Sequence, residues 1–128
     1  MKKPSVKSKT SLEEIESGGR LFSILDPRGQ NVYCEQSQWE RHAVDAKPFM
    51  AKLLPQVMET IMQLNAIFRD ADFEDRCCYY RLRPNGVNYV KVVTETVGGG
   101  TNKMITAFPT DSPKKGEIAI WMESSQHS

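Results

Sequence analysis

Tyr89-Val-Lys-Val-Val93 and Met104-Ile-Thr-Ala-Phe-Pro109 are the two stretches on which the fold turns. Both are dense in β-branched and aromatic residues, the composition of strands. Between them stands Val97-Gly-Gly-Gly100, followed by Thr101-Asn102. Three consecutive glycines favour a turn over a strand interior, so the pair is expected as an antiparallel hairpin at the centre of a small sheet. Side chains alternate along a strand, which puts Tyr89, Lys91 and Val93 on one face. In the second strand the same rule groups Met104, Thr106 and Phe108 against Ile105 and Ala107. Lys91 and Thr106 stand out as polar residues in apolar strands. A solvated face accounts for both, and threonine is a good strand former in any case.

Outward from the hairpin, Arg76-Cys-Cys-Tyr-Tyr-Arg-Leu82 reads as a strand with Cys78, Tyr80 and Leu82 on one side. Cys77, Tyr79 and Arg81 take the other. Near the start, Leu21 to Leu25 and Val32 to Cys34 flank Asp26-Pro-Arg-Gly29, a turn by its chemistry, and predict an opening hairpin. Ser37 is a plausible N-cap for a helix reaching about Ala46, with Trp39, His42, Ala43 and Ala46 on one face. Lys47-Pro48 ends it. A second helix is expected from about Phe49 to Gln63, with Leu54, Val57, Met58, Ile61 and Met62 as its apolar stripe. Pro55 either kinks that helix or opens its second half. Asn65 to Asp75 and Pro109 to Gly116 read as loops, and Glu117 to Met122 as an edge strand or packed tail. The expected fold is therefore α+β, two helices packed on a small antiparallel β-sheet.

The 128 residues bound a single domain with one modest core. The expected layout is a basic tail over 1–19, one domain over 20–122 and a short tail over 123–128. Lys2, Lys3, Lys7 and Lys9 give the first tail its charge, while the whole chain is nearly neutral at +1. Ser11-Leu-Glu-Glu14 resembles a capping box, but Gly18-Gly19 stops any helix there. No run has the apolar length of a signal peptide or membrane span. The three cysteines, Cys34, Cys77 and Cys78, lack metal-ligand spacing and suit a reducing cytoplasm. No zinc ligand set and no nucleotide-binding glycine loop is present, so neither metal nor cofactor is expected. His127 lies in the terminal tail and is expected to be idle.

Several motifs fall in a suggestive order: Trp39-Glu-Arg-His42, Lys47-Pro48, Glu59-Thr-Ile61, Asn65, Tyr79-Tyr-Arg81, Val90-Lys-Val-Val93 and Ile105-Thr-Ala-Phe-Pro109. Together they resemble small phage and bacterial proteins of the barnase–EndoU–colicin–RelE-like nuclease superfamily. Lys47 stands where that superfamily often has a second histidine, and Phe108 where it often has a tyrosine. The resemblance implies a RelE/barnase-like fold and a metal-independent ribonuclease, a toxin or effector of a phage or mobile element. A ribonuclease of that kind would act on RNA through the substrate's own 2′-hydroxyl. Such chemistry needs a proton carrier and cations around the phosphate. His42 is the candidate acid or base. Arg81 and Lys91 are candidate phosphate clamps, and Thr106 a hydrogen-bond donor to phosphate. Tyr80 and Lys47 are candidate substrate-binding residues. On its own spacing, His42 reads more readily as a hydrogen-bonded core residue beside Trp39 than as a catalyst, and it is the resemblance that brings the catalytic role level. The alternative function is a non-catalytic RNA- or protein-binding module on the same fold, or an immunity-type partner; a protein antitoxin would be the partner of a toxin.

Overall fold

The computed structural model describes residues 19–123, apart from the side chains of His42 and Ala43. The lysines of the first ten residues, the capping box at Ser11 and His127 lie outside the described residues. Seven strands form one sheet: β1 (Arg20–Leu25), β2 (Asn31–Glu35), β3 (Ala66–Arg69), β4 (Arg76–Leu82), β5 (Tyr89–Gly98), β6 (Thr101–Thr110) and β7 (Ile118–Met122). Their spatial order is β1-β2-β6-β5-β4-β3-β7.

This corrects the expected fold class. Among the described residues the sheet is large and mixed, and strand far outweighs helix. β2 runs parallel to β6, pairing Asn31 with Thr101 and Tyr33 with Lys103. The segment read as a loop at Asn65 contains β3, which pairs Ile67 with Tyr79 in β4 and Trp121 in β7. The apolar run Ala66-Ile-Phe68 is only three residues long, too short for alternation to show.

The helices are shorter than their apolar stripes suggest. Helix α1 (Gln36–Trp39) passes into a π-helical turn over Glu40–Val44. Its N-cap is Glu35, with no side-chain capping bond, in place of the expected Ser37. Pro48–Leu53 is a 3₁₀ segment, and α2 (Leu54–Met62) begins with proline in its first turn. Pro55 thus opens a helix where its missing N–H costs nothing.

The central hairpin forms, pairing Tyr89 with Thr110, Lys91 with Phe108 and Val93 with Thr106. A register shift between Val93 and Thr94 alters the expected parity of β6. Met104 joins Ala107, Val90 and Val92 in the main core, while Ile105 packs with Val93 and Phe108 on the opposite face. A bulge sets two residues of one strand against one of its partner, which breaks strict alternation.

The main core lies on one face of the sheet. Trp39, Met50, Leu53, Val57 and Ile61 from the helical segments pack there on Val32, Ile67, Tyr79, Val90 and Val92. On the other face Cys78, Tyr80 and Val93 make a smaller cluster with Phe68, Tyr89, Ile105 and Phe108. Among the described residues every member of that cluster comes from a strand, and in that sense the face is helix-free. Among the described residues no helix is long and apolar enough to cross a membrane.

Candidate functional site

The helix-free face is built on three paired rows. Register sets Lys91 between Tyr80 on β4 and Phe108 on β6, with Val93 between Cys78 and Thr106 beside it, and Tyr89 between Leu82 and Thr110 on the far side. A lysine in the middle of a sheet must find an anion or lose its charge. Lys91 is 7% exposed, and its Nζ donates to Glu117 Oε2 at 2.7 Å. The hydroxyl of Tyr80 donates to the other oxygen, Oε1, at 2.6 Å. Glu117 comes from the loop before β7 and its side chain is fully buried. Burial, followed by the bond to Glu117, pushes the Tyr80 phenol well above its ordinary range.

Aromatic rings flank this pair. The Lys91 ammonium lies 5.5 Å from the Tyr80 ring centroid and 5.6 Å from that of Phe108. Lys47, exposed on the link between the π turn and the 3₁₀ segment, approaches Phe108 with its Nζ at 5.6 Å. Both are within cation–π range. Tyr80 meets Phe68 and Tyr89 edge-on, at 5.4 and 6.3 Å between centroids. Beside them lies a pocket of ≈ 160 Å³ walled by Phe68, Tyr80, Tyr89, Pro113 and Met122, with Asn65 as its carboxamide.

The sequence-derived candidates separate by face. Lys47, Tyr80, Lys91 and Thr106 belong to the helix-free side. Arg81 pairs with Val90 and so projects to the helix side. There its Nη1 donates to the Gln63 carbonyl, and its Nε lies 3.9 Å from Glu59. Arg81 and Lys91 therefore do not converge on one phosphate. His42 lies in the π turn, which lies against β6. The side chain of Gln38, one turn earlier, donates to the Ile105 carbonyl at 2.6 Å and closes that part of the β6 edge.

Sequence reasoning missed Glu117 and Asp26. The need for a counter-ion to Lys91 was a usable signal, though it does not say which acid answers. Asp26 is buried in the β1–β2 turn. It accepts from the amides of Arg28 and Gln30, the Arg28 guanidinium and, at 2.7 Å, the Tyr79 hydroxyl. It ties the first hairpin to β4 and belongs to the scaffold.

Among the described residues, one set of ligand-type atoms gathers near Lys91. Asp70, Cys78 and Glu117 place theirs within 4.8 Å of one another. Both Glu117 oxygens are already engaged, one of them by a cation. Burial pushes the Cys78 thiol up to about 12, far from the thiolate a metal needs. Burial also disfavours the Asp70 carboxylate, but the amides of Asp72 and Phe73 and nearby lysines hold its carboxyl below the usual range. The arrangement is a neutralised salt-bridge cluster.

No family model, no curated protein and no solved structure matches this chain. The resemblance to the nuclease superfamily accordingly rests on motif order alone.

Proposed function

We propose that the chain is a non-catalytic RNA-binding module that takes single-stranded RNA on the helix-free face of its sheet. The observation that carries this reading is the Lys47–Phe108–Lys91–Tyr80 row beside half-buried Tyr89. Rings on a sheet surface offer stacking platforms to unpaired bases, and a flanking lysine meets the backbone. Phe108 and Tyr89 are the stacking residues, and Lys47 the phosphate contact. Lys91 is spent on Glu117, so it holds the row in place and leaves phosphate to Lys47.

Cleavage would require His42, Lys47 and Thr106 to act without Arg81, which lies on the other face. The expected result is that the purified chain leaves single-stranded RNA intact. Fluorescence anisotropy with a labelled oligonucleotide tests the binding. Phe108→Ala should weaken it by about 1–3 kcal/mol, the usual worth of a stacked base. Arg81→Ala should leave it unchanged. Equal losses from both variants would defeat the reading. RNA cleavage that disappears in His42→Ala would replace it with the catalytic one.

A further inference from the structure

We infer that the pocket between β3, β4, β5, β7 and the loop before β7 is a site for one pyrimidine base. The inference rests on the RNA-binding reading and narrows it to a ligand class. Volume is the first argument. At ≈ 160 Å³ the pocket is close to the cavity of about 150 Å³ that accommodates a benzene ring. It is smaller than the roughly 300–1,000 Å³ of sites that enclose drug-sized ligands. One six-membered ring fits within it; a fused purine would leave part of its second ring outside.

Lining is the second argument. Phe68, Tyr80 and Tyr89 bring three rings to one side, and Met122 adds a thioether, a polarisable contact for an aromatic ring. Tyr80 is fixed by its bond to Glu117 and by edge-on contact with both other rings. The wall is therefore set before a ligand arrives, which limits the ordering cost of binding. Asn65 supplies polar recognition. Its Oδ1 accepts the Leu82 amide at 2.7 Å, and its Nδ2 donates to Glu123 at 2.8 Å. A carboxamide oxygen has two lone pairs, so Oδ1 keeps one for a base N–H.

Position is the third. Tyr89 and Tyr80 belong to the same sheet face as Phe108, so a strand crossing the face can stack on Phe108 and lodge a neighbouring base in the pocket. Met122 is 60% exposed and at the outer edge, so its side chain can be shortened without opening the main core.

The test uses the full chain with oligo-uridine and oligo-adenosine of equal length, and free uridine followed by saturation-transfer NMR. Oligo-uridine should bind more tightly. Tyr89→Ala should weaken it by about tenfold, within the range of one lost stack. Met122→Ala should narrow the preference by making room for a second ring. Free uridine should receive saturation from the protein, which separates a nucleoside site from one that needs the RNA backbone. Equal affinity for the two oligomers, both weakened by Phe108→Ala, overturns the pocket assignment and leaves the RNA-binding reading standing. Failure of both oligomers to bind overturns that reading. Absence of saturation transfer to uridine, with the oligomer preference insensitive to Tyr89→Ala, overturns the pocket alone.

Discussion

Lys91 concentrates the residue-scale argument. Removing one partner of a buried ion pair strands the other charge, which typically costs about 3–5 kcal/mol. Lys91→Met should therefore lower stability by about that much in urea denaturation. Pairing it with Glu117→Gln should recover most of the loss, because no uncompensated charge then remains. If the double variant is as unstable as the single one, Lys91 matters for its packing and not for its charge. The buried thiols give a second test. Burial first, and then nearby acids, push Cys34 and Cys78 from an ordinary value of 9.0 to about 12. The unfolded chain then loses protons near pH 9 that the native chain keeps. Stability is full below that pH and falls as pH rises from about 9 to 12, by about 1.4 kcal/mol per unit for each thiol. Urea midpoints at pH 8 and pH 10 should show the fall, and serine in place of Cys34 should flatten it.

At the scale of elements, the strands that alternate were legible and those that bend or stop short were not. β4 and β5 present the faces their alternation predicts, down to Arg81 opposite Tyr80. β6 does not, because the bulge beside Val93 moves Ile105 to the helix-free face. Nothing local in Met104-Ile-Thr-Ala announces it. β3 escaped because an apolar run so short has no period. Of the stripes on the helical segments Trp39, Val57 and Ile61 are buried, while Ala46 and Met62 are exposed, and a stripe does not reveal π or 3₁₀ winding. Of the candidate site, Lys47, Tyr80, Lys91 and Thr106 were named from sequence. Glu117 needed the loop geometry. The join between α1 and β6 depends on Gln38, whose amide meets the Ile105 carbonyl beside the bulge. Gln38→Ala should cost about 1 kcal/mol and speed amide exchange across 36–44, with little change in β4. Uniform acceleration across the sheet would show that this contact supports the whole fold and not the one junction.

Over the whole molecule, charge decides how an RNA would be held. Net charge is only +1, and many cations are already committed. Lys91 pairs with Glu117, Arg28 with Asp26, Lys103 with Glu35 and Lys114 with Asp72. On the helix-free face Lys47 is an exposed cation aimed at the Phe108–Tyr80 row. Binding there is led by stacking, with about one or two phosphates neutralised. For single strands the slope of log K against log salt is about −0.7 per phosphate, so a slope of roughly −0.7 to −1.4 is expected. Affinity should then drop less than tenfold between about 50 and 200 mM salt. Lys47→Ala should flatten the slope by about 0.7, while Phe108→Ala should lower affinity at every salt concentration and leave the slope alone. A slope steeper than about −3 would sink the stacking-led account and move the interaction to other lysines. Lys2, Lys3, Lys7 and Lys9 are the first to test, by repeating the titration on a chain lacking residues 1–10.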